Sequence, residues 1–357
     1  MKKILLNKNW RVIKRKDRIC LLNLVTSKQL EITEDKDITL YLFDGLKEKI
    51  SQEALFRLLK SRFPRINNEW LEKALEDLKE YGVIRSPRTR PSSLPKPYLI
   101  GLDRQLDFLE ETFPEEGKYK KQTELKETKI AFLGLGIISQ YIILPLIASG
   151  VGKFKCIDFD IVEKRNIGRQ PMFRDEDIGK SKSKVVKDFI ENSRFATEVE
   201  SANKMIKSPK DVKDFVEGCN IVLHCCDYPR FTIHRWINQA CLEIGMPNLL
   251  VYSGRVGPFS IPYETSCYGC LETFLGRHVV SYKEFTKIIK EEGFGRYPEL
   301  AVVAGMTGVL AAKEIIGYIL GITPETYNAF FDINPFTLKV KKHSLPREKK
   351  CYACGEK

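Results

Sequence analysis

Four cysteines stand in two pairs, Cys267-Tyr268-Gly269-Cys270 and Cys351-Tyr352-Ala353-Cys354, and each pair can offer two thiolates from one tight turn. Together they complete a tetrahedral four-sulfur set, which suits Zn2+ and leaves no coordination position open for a substrate. The expected role is therefore structural, with the metal fastening the C-terminal stretch to the body of the chain. The other six of the ten cysteines, Cys20, Cys156, Cys219, Cys225, Cys226 and Cys241, lie in apolar stretches and read as small buried hydrophobes.

A different chemistry is written in the middle of the chain. The apolar stretch 130–133 runs into Gly134-Leu135-Gly136-Ile137-Ile138-Ser139 and then into a helical pattern that lasts to 148. Strand, glycine turn and helix in that order aim backbone N–H groups and a helix N-terminus at one point, where a phosphate can bind. Asp158 follows 22 residues after Gly136, at the end of the next apolar stretch, as an acceptor for a ribose hydroxyl would. Beyond it stand Asp160, Asn166, Arg169, Gln170, Lys180 and Lys182. A dinucleotide-dependent oxidoreductase has no reason for such a basic and amide cluster, and nothing here supplies a hydride-transfer residue. A triphosphate attacked at its α-phosphorus does need it.

Residues 158–170 read D-x-D-x-V-E-x-x-N-x-x-R-Q, and residues 178–182 read I-G-K-x-K. At these spacings the chain resembles the ThiF/MoeB/HesA superfamily of ubiquitin-activating-type adenylating enzymes, over roughly 99–357. The resemblance implies ATP on the turn of Gly134 and Gly136, with Asp158 on the ribose and Asp160 in the same nucleotide-binding set. It places Asn166, Arg169 and Gln170 around the phosphates and Lys182 at the α-phosphate, with Lys180 assisting or capping a helix. Asp227 matches the family's Mg2+-binding aspartate, a carboxylate being what a hard cation bridging phosphates requires. Asn238 lies in a family-like Ile-Asn pair, farther from Asp227 than is usual. In Asp103-Arg104-Gln105-Leu106, Arg104 looks like the arginine that reaches the γ-phosphate of a neighbouring subunit, which implies a homodimer. Two positions depart from the family pattern: Ile137 and Ser139 stand where smaller residues are usual, and side chains there are expected to crowd the phosphates. No cysteine lies between Cys270 and Cys351, where relatives that form thioesters hold their catalytic thiol. Direct attack on the adenylate is thus expected, with 271–299, including Gly293 and Gly295, as a substrate-covering loop.

The elements that must position these residues fall into three parts. Residues 1–90 open with β-like stretches at 10–13, 19–25 and 28–32, followed by helical patterns at 38–46, 52–63 and 69–81, with Leu71, Leu75 and Leu78 as an apolar stripe. This order resembles a small α+β winged-helix module of the PqqD-like peptide-recognition kind. Residues 91–128 form a linker and an arginine-bearing helix, set off by the proline-rich run 85–97, which favours an extended connector. Residues 129–357 alternate strands (130–133, 154–158, 221–226, 248–252) with helices, the pattern of an α/β Rossmann-like domain with a mostly parallel sheet.

Composition bounds the rest. With 357 residues, 43% hydrophobic and 30% charged, the chain has material for two ordinary folded domains. Apolar runs such as 142–148 are far short of a bilayer span, so no membrane partner and a cytoplasmic location without a signal peptide are expected. The net charge is +12, and residues 1–95 carry 21 Lys and Arg against 13 Asp and Glu. No zinc finger, RNP-type aromatic pattern or basic stripe accompanies that charge, and an acidic peptide would be steered by it equally well, so no nucleic-acid partner is expected. The whole layout is similar to the microcin-type peptide adenylating enzymes. It implies capture of a ribosomally made precursor peptide and use of Mg·ATP to activate a carboxyl or carboxamide, with pyrophosphate released. Two alternatives stand beside it: a degenerate scaffold presenting a leader peptide to a partner cyclodehydratase, and an activator of a ubiquitin-like sulfur carrier.

Overall fold

The computed structural model describes residues 3–24, 26–33, 35–85, 94–113, 115–292 and 299–355, and two compact units divide the chain at Lys121 and Gln122. The first unit begins with β1 (Lys3–Leu6), β2 (Trp10–Lys14), β3 (Ile19–Asn23) and β4 (Gln29–Ile32), then α1 (Lys36–Gly45), β5 (Ile50–Ser51), α2 (Gln52–Arg62), α3 (Asn68–Glu80) and β6 (Ile84–Arg85). It continues with α4 (Lys96–Leu99), α5 (Asp103–Thr112) and the start of α6 (Lys118–Glu127). Strands β2, β3 and β4 form an antiparallel meander, and β1 pairs with both β5 and β6. Ser51 and Asn67 cap α2 and α3 by accepting the N–H of Ala54 and Trp70, so two helix starts are fixed by side chains that compete poorly inside a helix. Leu71, Leu75 and Leu78 turn inward and meet Trp10, Ile19, Leu42, Phe43, Leu55 and Leu59 in one core.

The helix that carries Arg104, α5, belongs to this first unit. Glu111 near its end accepts the amides of Asn7 (2.5 Å), Asn9 (3.2 Å) and Asn23, while Asp107 holds Lys8 at 2.5 Å. The centre of the proline-rich run, 86–93, lies outside the described residues, as do Val25, Gly293 and Gly295.

The second unit is built on an eight-stranded sheet. Its strands are β7 (Lys129–Leu133), β8 (Lys153–Ile157), β9 (Glu198–Ala202), β10 (Ile221–His224), β11 (Asn248–Tyr252), β12 (Arg255–Ser260), β13 (Ala329–Ile333) and β14 (Val340–Ser344), in the order β14-β13-β12-β11-β10-β7-β8-β9. The run from β11 to β9 is parallel, and β12, β13 and β14 add an antiparallel edge. The helices are α7 (Ile137–Ala148), α8 (Lys182–Glu191), α9 (Pro209–Val216), α10 (Thr232–Ile244), α11 (Tyr268–His278), α12 (Tyr282–Glu292) and α13 (Ala301–Ile319). β7 is buried from Ile130 on, as a central parallel strand must be. Its Ala131 and Leu133 meet Val212, Val216, Ile233 and Ile237 of α9 and α10, and Phe132 stacks on Phe154 of β8.

One expectation needs correction here. Ala301–Ile319 is long and apolar enough, by length and composition, to cross a bilayer, so apolar stretches are not all short. In the fold this helix lies tightly on α7: a Cβ at Gly308 would stand 2.5 Å from that of Tyr141. Its Glu314 is fully buried and accepts both the N–H (2.8 Å) and hydroxyl (2.6 Å) of Thr326. A buried carboxylate of this kind belongs to a packed protein core.

Candidate functional site

β7 sits between β8 and β10, and the chain leaves it toward β8 before crossing back to β10, so the carboxyl ends of these three strands open a crevice at the point where strand order reverses. Gly134 begins the turn after β7 with φ +96°, a conformation that favours glycine. A Cβ there would lie 2.6 Å from the Cys226 nitrogen, because the chain leading to Asp227 crosses directly over the turn. Gly136 is different. It heads α7 with φ −73°, and nothing lies within 4 Å of where its Cβ would stand. Open space at a helix N-terminus is the kind of place that can take a phosphate.

The feared crowding of this turn is absent. Ile137 and Ser139 are both buried, and the Ser139 hydroxyl donates to the Gly136 carbonyl at 2.8 Å. Gln140, which stands in no motif, braces the turn from behind: its Oε1 accepts the Met172 N–H at 2.9 Å, and its Nε2 donates to Gln170 Oε1 at 3.2 Å. Gln170 is thus buried beneath the turn.

Asp158 follows β8 and accepts the N–H of Leu135 at 2.7 Å and that of Asp160 at 2.8 Å. Two of its roughly four acceptor positions are used, which leaves room for ribose hydroxyls. Burial raises its pKa, opposed by the charge of Lys182 and by those two N–H bonds. Lys182, on the first turn of α8, is itself buried and bonds Asp160 Oδ2 at 2.8 Å. A buried ammonium with one partner retains donors for a phosphate oxygen. Asn166 accepts the Glu163 N–H at 2.8 Å, shaping the short 164–166 turn that precedes Arg169. Lys180 pairs with Asp177 at 2.9 Å on the surface.

Arg169 faces a residue that no motif announced. Glu299 Oε2 lies 3.9 Å from its Nη1, and Glu299 Oε1 is buried without a hydrogen-bond partner. Burial raises the pKa of Glu299, with Ser253 and Arg169 opposing and Asp227 adding to the rise. Asp227 is 81% exposed on its side chain, and Arg230 reaches it at 3.7 Å. A solvent-facing carboxylate at the mouth of the crevice is what an incoming Mg2+ would need. Asp158, Asp160, Lys182 and the glycine turn are joined by these hydrogen bonds, while Arg169 pairs with Glu299 and Asp227 with Arg230. Arg104 lies exposed on α5 in the first unit.

The four cysteine sulfurs all lie within 4.8 Å of one another, with Cys267 and Cys351 at 3.8 Å and Cys270 and Cys354 at 3.5 Å. A zinc with Zn–S bonds of about 2.3 Å sets tetrahedral sulfurs about 3.8 Å apart, so the residues fit the ion. The N–H groups of Glu348 and Ala353 point at Cys270 and Cys351, each at 3.4 Å, as donors to thiolates do. Asn238 does not face the crevice group. It accepts the Tyr268 N–H at 3.1 Å and so helps seat α11 beside the cluster.

Comparison with known proteins gives the family and the fold. The ThiF family model matches residues 102–354. The molybdopterin-synthase adenylyltransferase of Salmonella typhimurium is 22% identical over 242 residues, covering 67% of this chain and 91% of that protein. The Escherichia coli sulfur carrier protein ThiS adenylyltransferase is 26% identical over 239 residues, covering 66% and 88%. Among solved structures, E. coli MccB with AMPCPP and MccA superposes with a TM-score of 0.78 at 21% identity, covering 99% of this chain and 100% of that one. The microcin C7 biosynthetic enzyme MccB in complex with N-formylated MccA superposes with a TM-score of 0.74 at 21% identity, covering 99% of this chain and 100% of that one. The fold is shared across both units' length, and the chain is an adenylyltransferase that belongs to the ThiF family.

Proposed function

We propose that this adenylyltransferase binds a ribosomally synthesised precursor peptide and transfers AMP from ATP to a carboxyl or carboxamide group of it, during maturation of a peptide natural product. The observation that carries the nucleotide part is the convergence of an open glycine turn, Asp158, Lys182 and Asp227 at the carboxyl ends of β7, β8 and β10. The acceptor oxygen attacks the α-phosphorus, a new P–O bond forms, and pyrophosphate departs. Lys182 and Arg169 meet the charge that grows on the phosphates, and Asp158 holds the ribose. Asp227 would hold Mg2+, which would supply charge neutralisation for the phosphates. Zn2+ in the four-cysteine set is structural.

The peptide part is supported by the fold likeness to MccB, solved in complex with MccA, and by the first unit itself. There a cleft of about 350 Å³ is lined by five cations, Lys14, Arg15, Lys16, Lys36 and Arg65, and two aspartates, Asp35 and Asp37, around Phe63 and Leu40, with Arg65 paired to Asp35. Cationic groups around apolar side chains suit an acidic peptide segment. A homodimer, with Arg104 serving the neighbouring subunit's nucleotide, is part of the same proposal. Val302 and Val309, exposed seven residues apart on α13, offer an apolar stripe for it. In the proposed arrangement residues 1–90 recognise the peptide, 91–128 carry the arginine, 129–357 adenylate, and the enzyme works in the cytoplasm.

The test is ATP–pyrophosphate exchange by the whole protein with candidate precursor peptides and, separately, a ubiquitin-like sulfur carrier. Exchange that requires a peptide and vanishes in Lys182→Met supports the proposal. Exchange driven by the sulfur carrier alone refutes the peptide reading. No observation favours the scaffold reading, because the buried Ile137 and Ser139 leave the turn open.

A further inference from the structure

A line of polar contacts in the second unit leads from the four-cysteine cluster to the turn that carries Asp227. Glu272, on α11, is buried, and Arg235 grips its carboxylate with two prongs, Nε to Oε2 at 2.9 Å and Nη2 to Oε1 at 3.0 Å. The same carboxylate accepts the Tyr268 hydroxyl at 3.2 Å and the Tyr352 hydroxyl in a short hydrogen bond. Tyr268 and Tyr352 each follow the first cysteine of a pair, so Glu272 touches both knuckles.

On the other side stands α10. Arg235 bonds Glu272, Asn238 holds the Tyr268 N–H, and Leu242 packs among the four sulfurs. Spaced by three and four residues, they share one face of the helix. α10 grows directly out of the Asp227 turn: the N–H of Ile233 bonds the Pro229 carbonyl at 2.8 Å and that of Arg235 bonds the Phe231 carbonyl at 3.3 Å. Phe231 between them has φ +62°, which a bulky residue keeps only where its surroundings impose it. A buried carboxylate is a poor way to glue helices for stability alone, since an apolar pair would serve as well. What it adds is a fixed register between α10, α11 and the C-terminal knuckle.

We propose that Glu272 is a positioning residue: through Arg235 it fixes the first turn of α10, so that assembly of the four-cysteine site sets where Asp227 stands. The proposal rests on the reading of Asp227 as the Mg2+ carboxylate. Because such coupling is reciprocal, zinc loading and Mg·ATP binding strengthen each other.

The test uses full-length, zinc-loaded wild type, Glu272→Gln, Tyr352→Phe and Asp227→Ala, each titrated with ATP with and without Mg2+, with zinc content measured alongside. Glu272→Gln should keep one zinc per chain and bind Mg2+-free ATP as wild type does, yet lose about tenfold of the tightening that Mg2+ gives. Tyr352→Phe should shift the same way by less, and it carries the test if Glu272→Gln cannot hold zinc. Wild-type Mg2+ tightening in both variants overturns the proposal, as does an equal loss with and without Mg2+, which marks a merely structural role. If Asp227→Ala keeps the full Mg2+ tightening, the reading of Asp227 fails and takes this inference with it.

Discussion

The two glycines of the turn after β7 should separate fold from function when each is changed to alanine. At Gly134 the backbone has φ +96° and the new Cβ meets Cys226 nitrogen at 2.6 Å, Cys226 Cα at 2.7 Å and Cys225 carbon at 2.8 Å. Left-handed strain costs about 1–2 kcal/mol, and overpacking against backbone that cannot yield costs about 1–3 kcal/mol more. Gly134→Ala should therefore lose about 2–5 kcal/mol, or roughly 5–15 °C of melting temperature for a unit of this size. Gly136→Ala meets nothing within 4 Å and keeps an ordinary φ of −73°. Its stability should stay within about 1 kcal/mol, since the entropy gained by replacing glycine offsets a weaker helix cap. Its methyl group nevertheless stands where the phosphate must approach. Loss of one charge-assisted hydrogen bond, worth about 1.5–3 kcal/mol, predicts ATP binding weaker by about 10- to 150-fold. Thermal unfolding and ATP titration calorimetry on the two variants decide the matter. A stable Gly136→Ala protein with wild-type ATP affinity would refute the placement of the phosphates on this turn.

Other outcomes follow from the same structure. His234 is buried against Tyr252 and Tyr268, and burial lowers its pKa to about 4 from 6.5. The unfolded chain then binds more protons between those values, so His234 makes the protein about 2 kcal/mol less stable at pH 5 than at pH 7, and denaturant melts of His234→Phe should show a flatter pH dependence. Asp158, raised by burial, should make ATP affinity begin to fall at a pH above the usual carboxylate range, and in Asp158→Asn that pH dependence should vanish along with most of the affinity; an unchanged profile would show that another group is being read. Chelating the zinc leaves four buried thiols without their ion, and proteolysis should then cut first near 345–355 with the sheet still folded. If Arg104 serves a neighbouring subunit, mixing inactive Arg104→Ala and Lys182→Met proteins should restore part of the exchange activity, because a mixed dimer holds one intact site.

The parallel centre of the sheet was legible because β7, β10 and β11 are nearly continuous apolar runs ended by glycine or a polar residue, and β8 alternates lysine with apolar residues before Asp158. The two edge strands were not. β14, at the antiparallel edge, reads Val-Lys-Lys-His-Ser and is mostly exposed, and β9, at the parallel edge, is only half-buried, so neither leaves an apolar signature. β1, β5 and β6 were missed because each is short and draws its stability from pairing with distant segments. The attachment of α5 to the first unit hangs on Glu111 and three asparagines up to 104 residues away, which no local pattern encodes.

At the site, spaced motif residues could be named from sequence, since Asp158, Asp160, Asn166, Arg169, Gln170 and Lys182 come from one continuous stretch. Their partners could not. Gln140 looks like any helix residue, Glu272 like any acidic residue on a helix, and Glu299 stands in no motif; each acquires meaning only from what it touches. Ile137 and Ser139 show the converse. Their size suggested obstruction, and the direction α7 takes turns both side chains into the core.

The central claim, that the crevice binds Mg·ATP for adenylation, is tested most directly by titrating the purified, zinc-loaded protein with ATP and Mg2+ in a calorimeter beside Asp227→Ala. Saturable binding of one nucleotide per chain, lost or sharply weakened in Asp227→Ala, is the result predicted here. A folded, zinc-loaded protein that gives no heat at millimolar ATP, or an Asp227→Ala variant that binds Mg·ATP as wild type does, would contradict it.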